Sequence, residues 1–250
     1  MAVIVVTGGT RGIGHGIAKE LIARGAQVVI CGRSGVDEAA AELGATGVVC
    51  DMTVRAQVEA LWEKAASLGP VAHWVNNAGV STTSKPLAEL PAEQLETVVN
   101  ANLLGVLNGS AVAARHMLEQ GSGTIWNMEG FGSDGRTMVG LTAYGSTKRA
   151  VTYVTESLAK ELKGTQVKAA HLSPGMVVTD LLLKDYEPEQ LEKAKKVFNI
   201  LADKVETVTP FLAEGILKGV KNGGRVAWLT TPKIAFRFAT AGFNKRDLFA

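Results

Sequence analysis

Tyr144 and Lys148 stand four residues apart in the run Tyr144-Gly145-Ser146-Thr147-Lys148, a spacing that puts a phenol and an ammonium on one face of a helix. A cation held beside a tyrosine lowers its pKa, so this pair reads as a proton donor usable near neutral pH. A second constellation points to another chemistry. After the apolar run Val3-Ile4-Val5-Val6 comes Thr7-Gly8-Gly9-Thr10-Arg11-Gly12-Ile13-Gly14, and then Ile17, Leu21 and Ile22 at helical spacing. Glycines between a strand and a helix let the main chain turn sharply and approach a pyrophosphate, whose charge the free N–H groups of the helix start favour.

These groups need a frame to bring them together. Short apolar runs rich in branched residues recur at Val3 to Val6, Gln27 to Cys31, Gly47 to Cys50, Ala72 to Val75, Gly123 to Asn127, Val167 to Leu172 and Arg225 to Leu229, which makes seven strand candidates. Between them, Gly14 to Arg24, Arg55 to Leu68, Ala92 to Glu119 and Thr142 to Lys163 carry apolar residues at helical spacing. Such alternation predicts an α/β fold, a doubly wound parallel sheet of seven strands with helices on both faces. No linker, repeat or low-complexity tract divides residues 1–250, so a single domain is expected. The long interval between Leu172 and Arg225 holds a charged helix around Glu189 to Lys196, and residues of about 180–222 are read as a cover over the substrate.

Composition narrows the class. The 250 residues are 46% hydrophobic and 20% charged, which fits a globular chain with a full core and excludes disorder or a disulfide scaffold. With 26 basic against 24 acidic residues, a net charge of +2 argues against nucleic acid as partner. Cys31 and Cys50 are expected to be small core residues. No run of 18 apolar residues is present to span a bilayer, and no signal or transit segment is read ahead of Val3. No metal is expected.

The glycines at 8, 12 and 14, together with Asn76-Asn77-Ala78-Gly79 after the fourth strand candidate and the Tyr144/Lys148 pair, resemble the short-chain dehydrogenase/reductase family over almost the whole chain. The resemblance implies a bound dinucleotide, met by Gly8, Thr10, Arg11, Gly12, Ile13 and Gly14, by Asp51 and Met52 at the adenine, and by Asn77, Ala78 and Gly79. It also implies contacts from Pro174, Gly175, Val177 and Thr179, with Thr179 on the carboxamide, and from Tyr144 and Lys148. Asn102, in Asn102-Leu103-Leu104-Gly105, is similar to the family asparagine that holds a water beside the lysine. The reaction implied is hydride transfer to or from a carbonyl carbon, with Tyr144 as acid and Lys148 as its electrostatic partner. Charge then selects the dinucleotide: the second strand candidate ends Cys31-Gly32-Arg33, without the carboxylate of an NAD site, and Arg11 lies in the glycine loop. Two guanidiniums favour a 2′-phosphate, hence NADPH/NADP+.

One family member is missing. The serine that normally precedes the tyrosine aligns with Gly130 in Asn127-Met128-Glu129-Gly130-Phe131-Gly132-Ser133. Removing an oxyanion donor typically costs about 10²–10³ in rate. Ser133, the nearest hydroxyl, is assigned the role, and a protonated Glu129 is the other candidate. Seven of the 25 residues from Gly121 to Gly145 are glycine, read as a cleft wall open to a large flat substrate. This run, its continuation to Arg136, and Leu172 to Leu182 resemble the chlorophyll b reductase group within the family, which also lacks the serine. That resemblance implies reduction of the 7-formyl group of chlorophyll b or a related formyl tetrapyrrole.

From Arg225 onward, Arg225, Lys233, Arg237, Lys245 and Arg246 interleave with Trp228, Phe236, Phe238, Phe243 and Phe249 against only Asp247. A tail over 230–250 of this kind suggests peripheral membrane contact. A homodimer or homotetramer is expected, as are a chloroplast address in a plant or alga and a cytoplasmic one in a bacterium. Two other functions fit the same residues: a general carbonyl or alcohol reductase for another bulky hydrophobic substrate, and a non-catalytic NADPH-binding module.

Overall fold

The computed structural model describes residues 2–183, 188–243 and 246–249. Val3–Thr7 (β1), Gln27–Gly32 (β2), Thr46–Val49 (β3), Val71–Asn76 (β4), Gly123–Met128 (β5), Val167–Ser173 (β6) and Arg225–Ala227 (β9) form one parallel sheet in the order β3-β2-β1-β4-β5-β6-β9. Val177–Val178 (β7) and Asp203–Lys204 (β8) make a separate two-stranded ladder. The last strand of the sheet ends two residues before the predicted Leu229, because the main chain leaves the ladder after Trp228 N–H donates to the Ser173 carbonyl.

β1 shows why these runs are strands. Its branched residues favour extended backbone, and successive side chains go to opposite faces. Val3 and Val5 join Val29, Trp74, Leu61 and Met117 on one side, while Ile4 and Val6 join Ile17, Leu21, Val208 and Leu212 on the other. Both faces are therefore core, as a parallel sheet requires. The helices covering the first face are Arg55–Ala66 (α3), Gly105–Gln120 (α5) and Thr142–Glu161 (α6); Gly12–Ala23 (α1), Val36–Leu43 (α2) and Val205–Lys218 (α9) cover the second. Cys31 and Cys50 are free and buried in the core.

Two further predicted assignments change. The stretch 92–119 is not one uniform helix: Ala92–Val99 (α4) passes through a π-turn at Asn100–Leu104 into α5. Its most apolar 18-residue window has a mean hydropathy of 1.3, enough in length and composition to cross a membrane, but half of that window is buried within the fold. The expected cover is also divided. Residues 205–218 are a core helix whose Val208, Leu212, Ala213 and Ile216 are buried against α1, so only Asp180–Leu183 (α7) and Pro188–Leu201 (α8) lie outside the sandwich. Residues 184–187, also assigned to the cover, fall outside the described residues. A last helix, Thr231–Thr240 (α10), packs on α8 and buries no residue fully.

Candidate active site

All strands of a parallel sheet end on one edge, and the order reverses between β1 and β4, where loops leave in opposite directions and open a crevice. The glycine loop emerges from β1 at that point. Its shape depends on close main-chain approach: a Cβ on Gly14 would lie 2.3 Å from the Gly8 carbonyl oxygen and one on Gly8 would lie 2.8 Å from Ala78 Cα. Asn77 locks the loop from β4, its Nδ2 donating to the Thr7 and Gly8 carbonyls at 2.9 and 3.1 Å. The Thr7 hydroxyl accepts from the N–H groups of Asn77 and Ala78, both at 3.0 Å. α1 begins behind the loop with no capping side chain and no acidic residue in its first turn, so its leading N–H groups face the crevice uncompensated. This cradle fits a dinucleotide pyrophosphate.

The other predicted contacts gather on the same edge. Thr10 packs against Gly32 at the end of β2, which brings Arg11 and Arg33 into one neighbourhood. Both are exposed, and neither guanidinium makes a hydrogen bond or ion pair among the described residues. Asp51 follows β3. The Thr53 main-chain N–H at 2.9 Å, against an opposing cost of partial burial, holds its carboxyl below the usual range, and the Thr53 hydroxyl and nearby Arg33 add to the effect. Thr179 lies across the crevice, its methyl 3.7 Å from where a Gly12 Cβ would stand. Pro174 and Gly175 follow β6, and Gly175 turns against Leu229. Gly79 approaches the Asn102 amide. Two predicted contacts have buried side chains instead: Val177 lies in the core beside β8, and Met52 packs between Cys31 and Cys50 with its carbonyl accepting from Asn108. Only their main chains remain for a ligand.

α6 carries Tyr144 and Lys148 to the end of β5. Lys148 Nζ donates to the Met128 carbonyl at 3.1 Å and stands 5.8 Å from the Tyr144 ring centre. The expected depression of the phenol is not found. Burial pushes Tyr144 up to about 12, while burial, partly offset by the Glu129 charge, pulls Lys148 down to about 8. With the ammonium bound to a carbonyl, loss of water dominates both groups. The phenol therefore stays protonated at neutral pH.

Asn102 sits in the π-turn, fully buried. Its Oδ1 accepts from Val80 N–H at 2.8 Å, and its Nδ2 donates to the Val80 carbonyl at 2.9 Å and to Thr147 Oγ1 at 3.2 Å. The side chain thus ties the loop after β4 to α6 one residue from Lys148. Sequence reasoning missed the network behind it. Asn76 Nδ2 donates to Asn127 Oδ1 at 2.8 Å, and Asn127 Nδ2 donates to Thr155 Oγ1 at 3.0 Å, joining β4, β5 and α6 through buried polar groups.

Ser133, given the role of the missing donor from sequence, lies on the loop after β5. It is buried, its hydroxyl donating to the Lys148 carbonyl at 3.3 Å and accepting from Gly130 N–H at 3.1 Å, so its hydrogen is already used. Glu129 is likewise occupied, as an acceptor: its Oε1 takes Arg225 Nη2 at 2.8 Å and lies 3.0 Å from His171 Nδ1. Part of the glycine-rich stretch borders a separate cavity. Gly132, at φ +94, turns so that the loop can press onto Gly145, and the segment lines a cavity of about 580 Å³ on the neighbouring face of α6, which neither Tyr144 nor Lys148 borders.

Comparison with known proteins settles the family. The short chain dehydrogenase pattern matches residues 2–190. The chain belongs to the short-chain dehydrogenase family. This short-chain dehydrogenase is 40% identical over 227 residues, 85% of its length and 64% of the relative's, to chlorophyll(ide) b reductase NOL, chloroplastic, of Arabidopsis thaliana. It is 33% identical over 273 residues, 98% of its length and 54% of the relative's, to probable chlorophyll(ide) b reductase NYC1, chloroplastic, of the same plant. It thus spans about half to two thirds of these curated relatives. Among solved structures, KRED1-Pglu superposes with a TM-score of 0.79 at 27% identity, over 90% of this dehydrogenase and 100% of that chain. A serine dehydrogenase complexed with NADP+ superposes with a TM-score of 0.77 at 25% identity, over 89% and 93% of the two chains. The family makes this chain an oxidoreductase.

Proposed function

We propose that this oxidoreductase uses NADPH to reduce the 7-formyl group of chlorophyll b, or of a related formyl tetrapyrrole, to a hydroxymethyl group. The observation that carries the reading is the meeting of the Tyr144 hydroxyl, Lys148 and the glycine loop at one crevice, in a chain similar along most of its length to chlorophyll(ide) b reductases. The glycine loop, Asn77 and the first N–H groups of α1 would hold the pyrophosphate, Arg11 and Arg33 the 2′-phosphate, and Asp51 the adenine end. Thr179 and the main chain at Pro174 and Gly175 would bound the nicotinamide end, with Lys148 reaching its ribose. When bound, the dinucleotide supplies the hydride. Tyr144 Oη donates its proton to the carbonyl oxygen as that oxygen gains charge, and Lys148 offsets the negative charge left on the phenol. Asn102 keeps α6 aligned with the loop after β4.

The test is an absorbance assay with NADPH and chlorophyll b, in which the product's red band shifts as the formyl group is lost. Tyr144→Phe should lower turnover by about 10²–10⁴ while NADPH still binds. Robust turnover of a simple ketone with none of the pigment would sink the pigment reading and favour the general reductase. That alternative has its own support in 36% identity over 193 residues to an NADP-dependent (R)-specific alcohol dehydrogenase of Lentilactobacillus kefiri. A binding module would keep its function in Tyr144→Phe.

The surface supports two further partner readings. α10 turns its polar residues inward: Lys233 Nζ lies 3.1 Å from the Trp228 ring centre, and Arg237 Nη2 is 2.8 Å from the buried Asp203 carboxylate. Ala235, Phe236, Ala239 and Phe243 are left facing water, Phe243 at 96% exposure. From Trp228 to Arg246 the chain has four cations and no acid. An apolar face within a purely cationic segment suits an anionic bilayer surface, which vesicle cosedimentation tests. Exposed Leu107 and Leu118 on α5 and Tyr153 on α6 favour a homodimer or homotetramer, read by sedimentation velocity. A chloroplast address for a plant or algal chain, and a cytoplasmic one for a bacterial chain, is checked by fractionation.

A further inference from the structure

The space in front of Gly130 is occupied. A Cβ built on Gly130 would stand 2.4 Å from the Tyr144 hydroxyl oxygen and 3.2 Å from Cε and Cγ of Lys148. Real Cβ atoms do not come within 3.0 Å of another heavy atom, so the phenol rests in volume that a side chain at this position would fill. The main chain here cannot easily draw back. On one side Glu129 N–H donates to the Leu172 carbonyl at 2.8 Å and the Met128 carbonyl holds Lys148 Nζ. On the other, Gly130 N–H donates to Ser133 Oγ, and Ser133 N–H donates to the Gly130 carbonyl at 3.1 Å. The Ser133 carbonyl in turn accepts from Arg149 Nη1 at 2.9 Å and Thr152 Oγ1 at 3.2 Å, tying the loop to α6. Gly130 is absent from the glycines with left-handed backbone, so an alanine there would meet the phenol and no dihedral strain.

We propose that Gly130 is a positioning residue: its bare Cα seats the Tyr144 hydroxyl against the main chain, so the site is built around one hydroxyl donor, and a serine at 130 would displace that donor instead of adding a second. The consequence for turnover rests on the reductase reading given above; the contact itself does not. A displacement of about 1 Å at the reacting group is enough to cost on the order of 10²-fold in rate.

Two measurements on the full chain test this. In the first, Gly130→Ala is made in the native background and in a Tyr144→Phe background, and the unfolding midpoint in denaturant is compared. The substitution should lower the midpoint in the native protein and leave it nearly unchanged once the phenolic oxygen is gone. An equal fall in both backgrounds overturns the proposal. In the second, Gly130→Ser should cut kcat by about 10²-fold with a smaller change in KM and in NADPH affinity. A rise in kcat overturns the proposal as well. If the native protein turns over no carbonyl substrate, the reductase reading fails, and the unfolding cycle alone decides whether Gly130 seats the phenol.

Discussion

Lys148 is the residue whose titration should be visible in kinetics. In the fold its pKa is drawn down from 10.5 to about 8 by burial, partly restored by Glu129. The ammonium is present below that value and lost above it, so kcat/KM should fall as pH rises through about 8. Stability moves the other way. A lysine with a lowered folded pKa disfavours the fold while charged, and that cost is relieved between about 8 and 10.5. Rate and unfolding midpoint measured over the same pH series check both signs. A second single-residue prediction concerns Arg33, which stands exposed beside the glycine loop with no acidic partner within ion-pair distance among the described residues. If it meets a 2′-phosphate, Arg33→Asp should weaken NADPH relative to NADH by about 10–10²-fold, the worth of one charge-assisted hydrogen bond, in parallel binding titrations. Residue types at fixed spacing made these groups legible. That Ser133 was spent on Lys148 and Gly130 was not legible, because both contacts depend on how a loop folds back onto α6.

α6 is the element on which the site depends, and its seating is polar. Asn127 on β5 accepts from Asn76 on β4 and donates to Thr155 on α6, all three buried. Asn127→Ala leaves those groups short of partners without touching Tyr144 or Lys148. It should cost roughly 1–3 kcal/mol, read as a lower denaturant midpoint at unchanged slope. The elements themselves were largely readable, since β1 to β6 and the helices α1, α3, α5 and α6 announce their periods locally, whereas the short α2 was not named from sequence. Nor was α9. Its apolar residues lie within a long interval that also holds the charged α8, and only its packing on α1 shows that it closes the second face of the sheet. The π-turn at Asn100–Leu104 was hidden for a similar reason: an added residue within a helix leaves the hydrophobic pattern almost intact.

At the scale of the molecule, Asp203 ties the C-terminal segment to the domain. Its buried carboxylate accepts from Trp228 Nε1 at 2.6 Å and from the guanidiniums of Arg237 and Arg246 at 2.8 and 2.6 Å. Truncation after Pro232 would strip both arginines from a buried charge and destabilise the fold, so it cannot test surface binding cleanly. Phe236→Ser with Phe243→Ser leaves that hub intact; it should abolish cosedimentation with anionic vesicles and leave the unfolding midpoint almost unchanged. Lys245, part of the same basic segment, lies outside the described residues. The amino-acid sequence by itself determined the parallel α/β order, the glycine turn between β1 and α1 and the phenol–ammonium pair, because each is written in neighbouring residues through period, spacing or backbone freedom. Only the tertiary structure decided that the phenol fills the place of a side chain at Gly130, that burial raises its pKa, and that α10 faces its phenylalanines outward. Those outcomes are set by which distant groups exclude water from one another and which carboxylate the cations reach, and no local pattern encodes that.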